Sequence, residues 1–110
     1  MKLRMTRSCV FGSDNSAEFF SSLIVTGCSP WTVYEYDNYQ GSSVCFYPLD
    51  TINCYPGFYD TPDVMGGISR KMSSAMKGCF AEKKLFPKPV PKGVVQKYFP
   101  SSGSDEVLAQ

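Results

Sequence analysis

The chain has 110 residues, which is the length of one small domain. Its net charge is +1, so it is neither strongly basic nor strongly acidic overall. It contains no histidine, so Ser-His-Asp and Cys-His catalytic arrangements and zinc sites of the Cys/His type are excluded. Aromatic residues make up 15% of the chain, and with nine Gly and eight Pro they favour a turn-rich all-β fold.

The first 30 residues predict two strands. Segment 1–16 is polar and basic with one short strand candidate at 9–11, and a second strand within 17–28 ends at Thr26-Gly27. The basic start resembles that of a signal peptide, but the apolar stretch that should follow is interrupted by polar residues. No apolar run approaches the ~20 residues of a membrane-spanning helix. We therefore expect no membrane span and no signal peptide, which slightly favours a cytoplasmic location over secretion.

Residues 31–47 predict a β-hairpin. The segment begins with alternating bulky and small or polar side chains, which is typical of a half-buried strand. Asp37-Asn38 is expected to turn the chain, since Asn tolerates a positive φ better than most residues. Gly41 has no Cβ, so the returning backbone is expected to pass close to the ring of Tyr34. Tyr34 and Tyr39 are expected to pack against each other.

The remaining chain divides into three segments. The connection 48–67 contains three Pro and three Gly and must hold a third strand, which we place at 53–59. The closing strand is expected within 68–80. The composition then changes to Lys, Pro and Ser over 81–110, which predicts an extended, largely disordered tail.

The charges are segregated along the chain. Residues 8–69 contain seven acids and no Lys or Arg, whereas residues 70–97 contain eight bases and one acid. The simplest interpretation is that an acidic body and a basic extension neutralise each other. The basic extension has a modest charge density, so we predict no nucleic-acid partner.

Five cysteines, at positions 9, 28, 45, 54 and 79, leave two alternatives open. In an extracellular protein they allow two disulfides and one spare thiol, and in a cytosolic protein they are small core residues. The odd count and the lack of a Cys-x-x-Cys motif favour a reduced or partly paired set.

Tyr34, Tyr39 and Gly41 form a spaced pattern: an aromatic residue, four residues, a second aromatic residue, one residue and a glycine. This pattern resembles the Greek-key motif of the βγ-crystallin family. The family pattern also has a serine in the closing strand. Its candidates here are Ser73, which we favour, and Ser74, in a Ser-Ser…Gly-Cys phrase that also occurs at 20–28. The similarity covers roughly residues 17–80.

This resemblance implies an all-β, βγ-crystallin-like Greek-key β-sandwich. It implies a domain over 1–80, with a full motif at 31–80 and a partial motif at 1–30, followed by the tail 81–110. Because half of a motif is missing, the resemblance also implies self-association or pairing with another Greek-key domain through an exposed sheet edge.

Calcium is the one cofactor that the resemblance suggests. Family members bind it with acidic and hydroxyl side chains of the closing strand together with a hairpin, since Ca²⁺ prefers several oxygen ligands. The corresponding candidates here are Glu18, Ser21 and Glu35. The second closing strand has Arg70 and Lys71 where the family has oxygen ligands, and these cations would repel Ca²⁺. We therefore expect weak or degenerate calcium binding.

The acids of the chain form no recognised catalytic signature, and no phosphate-binding loop is present. We therefore predict a structural or binding protein without enzymatic activity. The alternative is a small secreted effector, such as a toxin or protease inhibitor, which uses disulfides on a crystallin-like scaffold. The number of cysteines that form disulfides separates these two hypotheses.

Overall fold

The computed structural model describes residues 3–5, 9–10, 22–88 and 105–109, and within them the fold is all-β. A 3-10 turn at Pro62–Val64 is the single helical element of this part of the chain. The described residues contain nine strands: β1 (Leu3–Met5), β2 (Cys9–Val10), β3 (Leu23–Thr26), β4 (Trp31–Tyr34), β5 (Ser43–Phe46), β6 (Gly57–Tyr59), β7 (Ser74–Lys77), β8 (Lys84–Leu85) and β9 (Glu106–Ala109).

The strands form two sheets. The first sheet has the order β1-β9-β3-β6, and the second sheet has the order β2-β7-β4-β5-β8. Neighbouring strands are antiparallel except for β5 and β8, which run parallel. Both sheets contribute to one hydrophobic core, so the arrangement is sandwich-like. Its most deeply buried side chains come from both layers and from the loop before β7, and include Val25 and Val107 of the first sheet, Trp31, Val33 and Phe46 of the second, and Met65 and Met72.

Strand β4 is the centre of the second sheet, and all four of its residues are buried. Trp31 and Val33 belong to the hydrophobic core. Thr32 is also buried, and its hydroxyl donates to the carbonyl oxygen of Gly78 at 2.7 Å and accepts from the backbone N–H of Phe80 at 2.9 Å. The chain that follows β7 therefore satisfies the polar group of Thr32 at the centre of the sheet.

The predicted hairpin is confirmed. Strands β4 and β5 pair with Trp31 opposite Phe46 and Tyr34 opposite Ser43. The predicted strands at 9–11, 17–28, 53–59 and 68–80 are each present in shorter form as β2, β3, β6 and β7. The last of these begins only at residue 74 because turns precede it, with the Lys71 N–H donating to the Ile68 carbonyl and a positive φ at Arg70.

The prediction of a disordered tail over 81–110 is wrong for the parts of it that the structure describes. Lys84–Leu85 pairs with β5, and Glu106–Ala109 lies between β1 and β3 in the first sheet. The side chain of Val107 is fully buried in the core. The proposed division at residue 80 therefore separates strands that share a sheet, while residues 89–104 lie outside the described part.

Candidate functional site

The hairpin continues beyond its strands into a hydrogen-bonded loop. The N–H of Glu35 donates to the carbonyl oxygen of Ser42 at 2.8 Å, and the N–H of Tyr36 donates to that of Gln40 at 3.0 Å. The tight turn that this ladder encloses places Tyr39 at a φ of 59°. The positive φ that was expected near Asn38 thus falls on an aromatic residue, which is uncommon for a bulky side chain.

The two tyrosines of the motif meet across this loop. The rings of Tyr34 and Tyr39 lie edge to face, with centroids 5.8 Å apart and planes at 89°. This geometry is favourable for aromatic pairs because the positive edge of one ring faces the negative face of the other. Tyr34 is buried and Tyr39 is half-buried, so the pair covers the end of the hairpin.

The expected role of Gly41 needs a correction. A Cβ on this residue would lie 2.6 Å from Cδ2 of Tyr36, so the ring that approaches its backbone is that of Tyr36 and not that of Tyr34. The φ of Gly41 is 82°, in the left-handed region that favours glycine. The sequence spacing places a glycine correctly but does not show which of two nearby rings lies above it.

The serine that reaches the hairpin is Ser74, one residue beyond Ser73. The Ser74 hydroxyl is fully buried and donates to the carbonyl oxygen of Tyr36 at 2.6 Å. Ser73 contributes its backbone N–H, which donates to the carbonyl oxygen of Tyr34 at 2.9 Å. Because successive side chains of a strand point to opposite faces, only one of two adjacent serines can direct its hydroxyl into the hairpin.

Of the calcium candidates, only Glu35 lies in the described residues; Glu18 and Ser21 lie outside them. Glu35 is half-buried, and its Oε1 accepts from the backbone N–H of Ser42 at 3.4 Å. Within the described part of the chain no group of three or more His, Cys, Asp or Glu side chains could hold a metal ion. The calcium site therefore stays a prediction.

A pocket opens beside the hairpin, between β5 and the loop that precedes β7. Its volume is about 310 Å³. Gly66 and Gly67 contribute backbone at positive φ values of 66° and 83°. The pocket combines two lysines, two serines and a small apolar surface, and its lining residues are Ser42, Ser43, Val44, Gly66, Gly67, Ile68, Lys71 and Lys83.

The opposite end of β4 is held by two disulfides. Cys28 is bonded to Cys54 with Cα atoms 4.5 Å apart, and Cys45 is bonded to Cys79 with Cα atoms 5.4 Å apart. The first bond links the β3–β4 turn to the loop before β6, and the second links β5 to the segment after β7. The spacing of the cysteines in the sequence did not determine which of them form disulfides. Cys9, the fifth cysteine, lies in β2.

Asp105 joins the same end together, although sequence analysis did not identify it. Its carboxylate accepts from the Cys28 N–H at 2.7 Å and from the Ser29 hydroxyl at 3.2 Å, and it pairs with the Lys77 ammonium at 2.7 Å. The bond from Lys77 is the main cause of a lowered pKa for Asp105, and the bonds from Cys28 and Ser29 act in the same direction. No local pattern indicates this role, because the partners lie up to 77 residues away in the sequence.

Tyr59 is a second residue that sequence analysis missed. Its hydroxyl lies 2.8 Å from the Tyr47 carbonyl oxygen and 2.9 Å from that of Leu85, and it accepts from the Tyr47 N–H. Burial raises the pKa of this phenol, so it stays protonated and can donate. Tyr59 therefore links β6 of the first sheet to the ends of β5 and β8 in the second.

No helix in the described residues has the length and apolar character needed to cross a bilayer. No family model, curated protein or solved structure matches this chain.

Proposed function

We propose that this chain is a non-enzymatic binding protein on a βγ-crystallin-like Greek-key scaffold, and that it acts in an oxidising compartment as a small secreted effector. The observation that carries this proposal is the pair of disulfides, Cys28–Cys54 and Cys45–Cys79. Disulfides persist in extracellular environments and are rare in the cytosol, and small secreted domains use them to supplement a limited core. The cytoplasmic location favoured by the sequence is replaced in this proposal.

The crystallin-like part of the proposal is supported by the hairpin. The edge-to-face tyrosines, the left-handed Gly41 and the buried Ser74 hydroxyl support this part of the proposal, although the ring above Gly41 is that of Tyr36. The absence of histidine from the whole sequence supports a binding role over a catalytic one.

A structural role through self-association, or through a partner Greek-key domain, is the second candidate. Phe80 and Phe86 favour it because these two large apolar residues are 65% and 69% exposed and are therefore available to a partner. Light scattering coupled to size-exclusion chromatography tests it. A dimer that becomes monomeric in Phe80→Ser/Phe86→Ser would support this candidate, and a monomer at every concentration would count against it.

Thiol titration of the denatured protein, without and then with a reductant, tests the main proposal. The expected result for protein isolated from its natural source is that four of the five cysteines react only after reduction, because they form the two disulfides. Five reactive thiols before reduction would overturn the secreted-effector proposal and support an intracellular structural protein.

A further inference from the structure

We propose that the pocket beside the hairpin binds the oxyanion of a small phosphate or sulfate ester. This inference rests on the binding role proposed above and names the chemical class of the ligand. It is carried by the juxtaposition of two lysines, Lys71 and Lys83, with two serines, Ser42 and Ser43, around one cavity.

The structure holds Lys83 in place before any ligand arrives. Its Nζ donates to the carbonyl oxygen of Gly66 at 2.9 Å. A lysine ammonium has three N–H donors, so two remain for a ligand. Gly66, whose carbonyl oxygen holds Lys83, has a φ of 66°, in the left-handed region that favours glycine.

The lining of the pocket also includes uncharged polar residues and glycine backbone. Ser42 and Ser43 line one side. On the other side, Gly66 and Gly67 are consecutive residues at positive φ, and the space beside Gly67 is open, with no atom within 4 Å of a Cβ built there. Charged and uncharged polar residues thus line the same cavity.

Size and apolar lining indicate an organic ester. A volume of about 310 Å³ is at the lower end of the range for small-molecule sites, which suits a ligand of monosaccharide size. Val44 and Ile68, both almost fully buried, provide an apolar part of the lining. The oxyanion would contact the lysines and serines, and the carbon skeleton would contact this apolar surface.

Glu35 limits the affinity. Its carboxylate accepts from the N–H of Ser42, which lines the pocket, and like charges repel an anion. The removal of this negative charge is therefore expected to strengthen anion binding, whereas a site for a cation would be weakened by the same change.

The experiment is a titration of ¹⁵N-labelled, disulfide-bonded protein followed by NMR. The probes are inorganic phosphate, inorganic sulfate, glucose 6-phosphate, glucose, and vesicles of phosphatidylglycerol in phosphatidylcholine. Saturable shifts of the Ser42, Ser43, Gly66 and Gly67 amides are expected with phosphate and sulfate. Glucose 6-phosphate should bind more tightly than either ion, and glucose should not bind. A response to the vesicles alone would replace the small ester by a lipid surface as the source of the anion.

Variants with matched charge changes test the assignment. Lys83→Gln and Lys71→Gln should each weaken glucose 6-phosphate binding about tenfold, because each removes a charged hydrogen-bond donor. Lys84→Gln, an exposed neighbour that does not line the pocket, should change it less than about twofold. Glu35→Gln should tighten binding about twofold. The dispersion of the amide spectrum of each variant shows whether it is folded.

Two results would overturn the inference: equal losses in Lys83→Gln and Lys84→Gln, or no shift of the pocket amides with any probe in a folded protein. The thiol titration is a separate measurement. If four cysteines form disulfides and no anion binds, the secreted-effector proposal is retained and only the proposed oxyanion ligand is rejected.

Discussion

The two ends of β4 are stabilised in different ways. At the Tyr34 end, hydrogen bonds and one aromatic pair close the hairpin, and the Ser74 hydroxyl donates to it from β7. At the Trp31 end, which we call the cysteine end, two disulfides join segments that are distant in the sequence. Asp105 and its partners Cys28, Ser29 and Lys77, the Asp105 cluster, add further links there. The hairpin end therefore depends on residues close in sequence and on one distant strand. At the cysteine end, covalent bonds and charge instead connect segments that are far apart in the sequence.

This contrast predicts the largest effect for the loss of a disulfide. Cys45→Ala/Cys79→Ala should lower the free energy of unfolding by about 2–5 kcal/mol, because the closed loop would no longer restrict the unfolded chain. Urea denaturation without reductant measures this change. The control is wild-type protein in reductant, which should lose at least as much because it loses both bonds. A change below 1 kcal/mol in the double variant would contradict the prediction.

At the hairpin end, Ser74→Ala should cost about 1–2 kcal/mol of unfolding free energy. The substitution leaves the carbonyl oxygen of Tyr36 without its buried donor at 2.6 Å. Ser73→Ala is the matched control, since Ser73 is half-buried and contacts the hairpin through its backbone N–H. Equal losses in the two variants would show that the hydroxyl of Ser74 has no special role.

The Asp105 cluster predicts that the free energy of unfolding decreases at acidic pH. Asp105→Asn should lower stability by about 1 kcal/mol at pH 7, because a carboxylate that binds Lys77 and the Cys28 N–H becomes neutral. The pKa of Asp105 is lowered in the folded state, so its contribution is full above the ordinary value of 3.8 and is lost as pH falls through the folded pKa.

Denaturation curves of wild type and Asp105→Asn between pH 7 and pH 2 should therefore converge at the acidic end. Asp60→Asn, at an exposed position, is the control and should match wild type throughout. A difference between Asp105→Asn and wild type that stays constant with pH would indicate a steric effect of the amide instead of a lost charge.

We expect calcium to have the smallest effect on the free energy of unfolding. A degenerate site with a dissociation constant near the added concentration would stabilise the protein by about 0.4 kcal/mol. The melting temperature should rise slightly in calcium, and the rise should disappear in Glu18→Ala and in Glu35→Ala. A rise that persists in both variants would place the ion elsewhere.

Sequence reasoning was most successful where the pattern is local. Alternating side chains, a turn and a glycine within 31–47 were sufficient to predict the hairpin, because the interactions that form it join residues fewer than 20 positions apart. It was less exact for Ser74, since the choice between two adjacent serines depends on which face of β7 meets the hairpin.

It was least successful after residue 80. The four residues of β9 follow a long Pro- and Ser-containing stretch, and a strand of that length has too little periodicity to stand out from a disordered segment. The position of β9 depends on β3, about 80 residues earlier, whose unpaired edge it covers. The Lys-, Pro- and Ser-rich composition of this segment indicated a solvated tail. Composition does not show that one side chain within it, that of Val107, is buried in the core.

The amino-acid sequence alone determined the all-β class, the hairpin with its tyrosine pair, and the exclusion of histidine-based catalysis. These features follow from composition and from contacts between near neighbours. Only the tertiary structure decided which cysteines pair, which serine reaches the hairpin, and that Lys71 and Lys83 share a pocket with Ser42 and Ser43. Those outcomes depend on how distant strands are ordered in two sheets, and the relative free energies of alternative strand orders are not encoded in any short segment of the chain.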